Sequence, residues 1–242
     1  MDINFLIHLL EMSINTYHVD DLPSLIYKFG YKEEGVRCKL FGYKNKLVLA
    51  IKGTSLNILG YELGETSLKD KKMVNVLFNK CKTSSFRCEY SKKVKFDKLG
   101  YLHKLQRIIV AIQYLYPNKE IILTGHSLGG ALASLLSLIY NLQCITFASP
   151  GEFYISKILQ LNNENGAITH YGMCNDTIFT GKCDKLCNLL GYSVDTSRHN
   201  GKVYCLKITP NIKSVVFHNS SVLLSYFRKL ALSKKHTKNR IY

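Results

Sequence analysis

Residues 120–139 read EIILTGHSLGGALASLLSLI, and the rest of the chain is best understood outward from this stretch. Ile121, Ile122 and Leu123 form a short branched apolar run, the pattern of a strand buried on both faces of a parallel sheet. The run ends in Gly125-His126-Ser127-Leu128-Gly129, a G-x-S-x-G spacing, and passes into an apolar helical pattern. A sharp turn between strand and helix projects the Ser127 hydroxyl into a cleft, and the glycines leave room for that backbone. The helix N-terminus offers unpaired N–H groups and partial positive charge, which suit a developing oxyanion. Gly129, Gly130, Ala131 and Ala133 are small enough for the helix to lie tightly on the sheet. The strand–turn–helix context separates this pattern from a glycine-rich turn with an idle serine.

The run GHSLGGALA resembles the nucleophile elbow of the class 3 lipases, which are α/β-hydrolases. The resemblance implies an α/β fold: a mostly parallel central sheet with helices on both faces. It also directs a search for the partners of Ser127.

A chain of 242 residues suits one domain with a large core, and we read residues 1–242 as a single unit. Lys and Arg number 33 against 17 Asp and Glu, a net charge of +16 that favours an anionic partner. The basic residues are scattered and no nucleic-acid motif accompanies them, so nucleic acid is set aside and an anionic phospholipid surface preferred. The N-terminus carries Ile3, Leu6, Ile7, Leu10 and Ile14 at helical spacing, as an amphipathic helix covering the sheet. It lacks the basic start and unbroken apolar run of a signal peptide, and no stretch approaches a membrane-spanning helix.

A short strand is expected around Val36 to Phe41, and Leu47 to Lys52 reads as a buried strand running into Gly53-Thr54-Ser55. By resemblance to class 3 lipases, this strand end supplies an oxyanion donor at Thr54, through its N–H, with its hydroxyl as a further candidate donor, and a lid follows. Leu128, after the nucleophile, supplies the second N–H. Residues 57–94 are the expected lid or insert, a charged run followed by Val74, Val76, Leu77 and Phe78; a plain surface loop with one helix is the alternative. Leu102, Leu105, Ile109, Ile112 and Tyr116 mark one face of a helix that Pro117 ends. Cys144 to Phe147 and Ile168 to Met173 are further strands.

In this fold the acid follows the serine and the histidine follows the acid. The strand ITHYGM leads into Cys174-Asn175-Asp176-Thr177-Ile178, and Asp176 fits the turn that carries the acid in class 3 lipases. Asp184 and Asp195 compete from a loop further from a strand end. For the base, His218 follows an expected strand, Val215 to Phe217, and precedes a helix beginning near Ser220; His199 is the alternative. His126 is read as packing.

The runs AIKGTS at 50–55, DKKMVNVLFNKC at 70–81 and LTGHSLGGALASLL at 123–136 sharpen the resemblance. So do ITHYGMCNDTIFTGKC and LLGYSVDTSRHNG within 168–201. Together they are similar to the autophagy-related vacuolar lipases of fungi. That resemblance implies a phospholipase working in a vacuole-like lumen or on an endomembrane. Arg198 stands where the family has a cysteine, with Cys205 nearby as a substitute partner. The eight cysteines include Cys81, Cys88, Cys174, Cys183, Cys187 and Cys205 in expected loops, and Cys38 and Cys144 in apolar strands as buried thiols. Disulfides would imply an oxidising compartment, and a zinc site is disfavoured by the cysteine spacing.

The expectation is a serine lipase or phospholipase that needs no cofactor or metal. Ser127, Asp176 and His218 form its triad, and Thr54 and Leu128 its oxyanion hole. A water-soluble carboxylesterase and an idle lipid-binding protein on the same fold are the alternatives. The basic residues 233–242 are expected as a solvated tail. The oligomeric state and headgroup preference are not set by these patterns.

Overall fold

The computed structural model describes residues 2–31, 35–54, 67–79, 81, 85–161, 167–189, 194–209 and 212–238. The chain opens with helix α1 (Ile3–Asn15), then strands β1 (Leu25–Phe29), β2 (Cys38–Tyr43) and β3 (Lys46–Ile51). Helices α2 (Ser67–Phe78), α3 (Phe86–Leu99) and α4 (Tyr101–Leu115) follow, then β4 (Glu120–His126), α5 (Leu128–Tyr140) and β5 (Gln143–Phe147). The last elements are α6 (Phe153–Ile158), β6 (Ile168–Met173), α7 (Lys185–Leu189), β7 (Lys202–Leu206), a 3-10 turn (Val215–His218) and α8 (Ser220–Lys238).

The seven strands lie side by side in chain order. The pairs β1–β2 and β2–β3 are antiparallel, and from β3 to β7 every pair is parallel. Alternation along β3 divides the core: Leu47, Leu49 and Ile51 join one apolar cluster, Val48 and Ala50 the other. On the second face α1 contributes Leu6, Leu9, Leu10 and Met12, and α8 contributes Leu223 and Phe227. On the first face α2, α4, α5 and α6 cover the sheet, with Leu105, Ile109 and Ile112 as the buried stripe of α4. Helices therefore flank both faces of a mostly parallel sheet, the α/β-hydrolase arrangement. Thr54, Ser127 and Cys174-Asn175-Asp176 all follow directly at the carboxyl ends of strands, where open parallel sheets form their clefts.

Several elements differ from the sequence reading. Residues 57–66 of the expected lid lie outside the described residues. The remainder contains two helices, and α2 buries Met73, Leu77 and Phe78 completely in the main core. Val215 to Phe217 is a 3-10 turn and not a strand. Its amides are committed elsewhere: Val215 N–H donates to Asp184 Oδ2 at 3.0 Å, and Val216 N–H to the Ser214 hydroxyl at 3.3 Å. Helix α8 runs to Lys238, so much of the expected solvated tail is helical backbone, and residues 239–242 lie outside the described residues. Strands β1 and β7 were not expected, and Cys205 lies within β7 and not in a loop.

Lys39 on β2 is wholly buried beneath the end of α1. Its Nζ donates to Asn15 O at 2.9 Å and His18 O at 3.1 Å and pairs with Asp21 at 2.9 Å. A cation at the helix C-terminus complements the exposed carbonyls there. It fixes the turn that carries Tyr17.

Candidate active site

Ser127 sits between β4 and α5 with φ +57° and ψ −131°, a conformation that costs an ordinary residue roughly 1–3 kcal/mol. The surroundings hold it there. Ser127 N–H donates to Phe147 O at 3.0 Å, and Ser127 O accepts from Gly130 N–H at 2.9 Å. Gly129 is required for close approach: a Cβ at that position would stand 2.1 Å from Ile51 O of β3. Gly53 is required for the same reason, since its Cβ would meet His126 O and the Tyr17 hydroxyl at 2.3 Å.

The structure brings Ser127, His218 and Asp176 together. His218 Nδ1–H donates to Asp176 Oδ2 at 2.8 Å, which leaves Nε2 to accept the Ser127 hydroxyl at 2.7 Å. Asp176 is fully buried, and its other oxygen accepts Ile178 N–H at 2.8 Å. A disulfide, Cys174–Cys205, ties the start of its turn to β7. Asn175 Nδ2 donates to Ile212 O at 2.8 Å, and Ser214 N–H to Asn175 O at 2.9 Å, so the acid turn also holds the segment leading to His218.

Asp184 and Asp195 are not at this site: the first caps the 3-10 turn, and Asp195 N–H donates to Phe78 O at 3.0 Å. His199 is also elsewhere, donating from Nε2 to Ser149 O at 2.8 Å.

Thr54, Ser127, Leu128 and His218 line one small cavity with Val74 and Phe78 of α2 and with Pro150, Ile178 and Val194. Its volume is about 20 Å³, room for little more than one water. The buried Thr54 hydroxyl has no hydrogen-bond partner among the described residues. Leu128 opens α5, where first-turn N–H groups lack helical acceptors. Helix α2 is fixed over this cavity at its first turn: Asp70 Oδ2 faces Lys52 Nζ at 3.8 Å, and its Oδ1 accepts the Tyr101 hydroxyl at 2.7 Å.

His126 does more than pack. Its Nε2–H donates to the His218 carbonyl at 2.9 Å, so its Nδ1 accepts the Tyr17 hydroxyl at 3.2 Å. Tyr17 thus lies where the Gly53 strand end, the end of β4 and the backbone of His218 converge. The sequence offered no signal for it beyond its place just after the N-terminal helix.

A second histidine cluster lies apart from the triad. Glu152, His170 and His199 present ligand atoms within 4.8 Å of one another, a spacing that could hold a metal ion. Several of their polar atoms are held by protein groups, while Glu152 Oε2 is buried without a hydrogen-bond partner among the described residues. His170 Nε2–H donates to Asn200 O at 2.7 Å, and Glu152 Oε1 accepts from Ser134, Asn200 N–H and Asn200 Nδ2. The cluster ties β6, α6 and the turn at Asn200 together and needs no ion to do so.

Burial depresses the pKa of His126 to about 3, with His218 adding to the effect, and that of His170 to about 4. Both rings stay neutral in the native state at pH values where an unfolded histidine, near 6.5, takes up a proton. The unfolded chain then binds more protons, so stability falls as pH drops from about 6.5 toward about 4, by up to roughly 1.4 kcal/mol per pH unit for each ring. Urea midpoints that decline over this interval would fit; a flat profile would show that one or both rings protonate without cost.

The fold is that of the α/β-hydrolases, with Ser127, His218 and Asp176 hydrogen-bonded in series at the ends of its strands. The family model described as lipase (class 3) matches residues 48–154 of the chain. Among curated relatives it is similar to the "Putative lipase ATG15" of Saccharomyces cerevisiae, 36% identical over 203 residues, which cover 72% of this chain and 39% of that protein. The protein of the same name from Vanderwaltozyma polyspora is 32% identical over 241 residues, covering 83% of this chain and 43% of its own length. The chain thus spans less than half the length of these relatives. Its fold is also that of a fungal lipase solved in complex with an inhibitor, with a TM-score of 0.50, 14% identity, and coverage of 90% of this chain and 88% of that one.

Proposed function

We propose that the chain is a serine hydrolase acting on carboxylic esters of membrane glycerophospholipids or acylglycerols through an acyl-enzyme. The observation that carries this is the continuous hydrogen-bonded path from Ser127 through His218 to Asp176, at 2.7 and 2.8 Å. Ser127 Oγ attacks the ester carbonyl while His218 Nε2 takes its proton. Asp176 holds the ring in the required tautomer and stabilises the imidazolium. The N–H groups of Thr54 and Leu128, with the Thr54 hydroxyl, receive the negative charge that develops on the carbonyl oxygen. His218 returns the proton to the leaving alcohol, and a water deprotonated by the same ring releases the fatty acid.

A cavity of about 20 Å³ cannot take an acyl chain. Helix α2, which places Val74 and Phe78 over the serine, therefore moves aside when substrate enters, as a lid does. This favours an enzyme of lipid surfaces over a water-soluble esterase. The net charge of +16 fits an anionic phospholipid surface as the partner. Disulfides at Cys81–Cys88 and Cys174–Cys205, with Cys183 also disulfide-bonded, fit an oxidising lumen. With the resemblance to the autophagy-related lipases they support a role in breaking down membranes inside a vacuole-like compartment. No helix among the described residues is long and apolar enough to cross a membrane.

The test is fatty-acid release from phosphatidylserine-containing liposomes, together with labelling by a fluorophosphonate ester and mass analysis of the labelled peptide. Release with the label on Ser127 is expected. No release from liposomes, neutral lipid or short esters, and no label, would overturn the reading.

A further inference from the structure

Helix α3 carries large apolar side chains on its outer face. Phe86 is 84% exposed, Tyr90 60% and Val94 37%. Their spacing of four residues places them on one stripe of the helix. The Phe86 and Tyr90 rings lie parallel, with centroids 6.1 Å apart. In helical projection Lys93 borders this stripe on one side and Arg87 and Lys98 on the other, all exposed; Asp97 is the exposed acid among them. Aromatic side chains flanked by Lys93 on one side and Arg87 and Lys98 on the other suit a helix that lies in a membrane interface, with Asp97 as an acid within the same stripe.

The rest of α3 is fixed in place. Phe96 is buried, Lys92 Nζ donates to Val76 O of α2, and Cys88 is bonded to Cys81 just beyond the end of α2. Thus α3 is clamped to the helix that covers Ser127, and its apolar stripe is already displayed while the cavity is closed.

We propose that the outer face of α3 is a permanent docking surface for an anionic phospholipid bilayer. Phe86, Tyr90 and Val94 enter the headgroup–acyl boundary, and Arg87, Lys93 and Lys98 engage lipid phosphates and carboxylates. Docking through α3 brings α2 to the bilayer before it moves, so surface binding precedes opening. The identity of the partner rests on the lipase reading; the face itself does not.

The experiment measures co-sedimentation of the full chain, carrying Ser127→Ala so that vesicles persist, with phosphatidylcholine vesicles containing or lacking phosphatidylserine. Phe86→Ala with Tyr90→Ala is expected to weaken binding by at least about tenfold. Arg87→Gln with Lys93→Gln and Lys98→Gln is expected to do so by roughly tenfold on phosphatidylserine vesicles and to flatten the salt dependence. Val110→Ala with Tyr114→Ala, exposed residues of α4, serves as the control and should change nothing. In the active background, the α3 variants should hydrolyse a short water-soluble ester as the parent does.

Equal binding by parent and α3 variants, equal loss in the α4 variant, or no binding by the parent would each overturn the docking face. Such a result beside normal hydrolysis of the soluble ester would leave the hydrolase reading intact. Binding through α3 without hydrolysis of any ester would sink the hydrolase reading and leave the docking face standing.

Discussion

Alanine at position 127 is expected to reduce ester turnover by roughly 10⁶-fold, to the level that substrate binding and the oxyanion donors sustain alone. The reason lies in the geometry at the β4–α5 turn. The Ser127 hydroxyl is the oxygen that His218 Nε2 holds at 2.7 Å, and it lines the cavity shared with Thr54 and Leu128. Without it His218 has no proton to take from a nucleophile. The fold should survive, because the unusual backbone at this position is held by Ser127 N–H to Phe147 O and by the Gly130 N–H, bonds that alanine keeps. Steady-state rates on an emulsified ester, with circular dichroism as the control for folding, check this. A variant retaining more than about 1% of activity would place the nucleophile elsewhere.

Asp176→Asn is expected to lower kcat by about 10⁴-fold with little change in KM. An asparagine fits the same space, and its carbonyl oxygen can still accept Ile178 N–H, which Asp176 Oδ1 now does at 2.8 Å. The oxygen that faces His218 Nδ1 becomes an NH₂ group. It turns the imidazole to the other tautomer, with the proton on Nε2, where it can no longer accept from Ser127. Asp184→Ala provides the contrast. Asp184 supports Val215 N–H at the start of the 3-10 turn, so its loss should lower stability more than turnover. A larger loss of kcat at Asp184 than at Asp176 would reverse the assignment of the acid.

The centre of the sheet was legible because β3 to β6 are buried on both faces and read as apolar runs with few alternatives. Ser127 was legible for a related reason: G-x-S-x-G between a strand and a helix imposes steric demands that few other sequences meet. The edges were not legible. In β7, Val203, Tyr204 and Cys205 are all exposed, so no burial pattern marks the strand. His218 was singled out on a mistaken premise, though the structure does bring it to Ser127 and Asp176. The run Val215-Val216-Phe217 has strand propensity, but the Ser214 and Asp184 side chains take up its amides and wind it into a 3-10 turn. Tyr17 and the grip of His126 on the His218 carbonyl were invisible because both depend on contacts across more than ninety positions of sequence. The stripe on α3 was hidden by composition: FRCEYSKKVKFDKL is rich in lysine, and its apolar residues become a surface only once Phe96 alone is seen to turn inward.

The strand order has a consequence for how the chain can change. All the parts assigned to chemistry hang from one rim of the sheet, the rim where strands β3, β4 and β6 end. At the opposite rim residues 116–119 and 141–142 make short connections that join helices to the starts of β4 and β5. The two rims are about five to seven residues apart along each strand, a separation of about 20 Å that a rigid sheet maintains. Variation in these two short connections is therefore mechanically insulated from Ser127. New segments, fusions or partner contacts can be accumulated there while the reactive rim stays as it is, and a lengthened chain can keep this site unaltered.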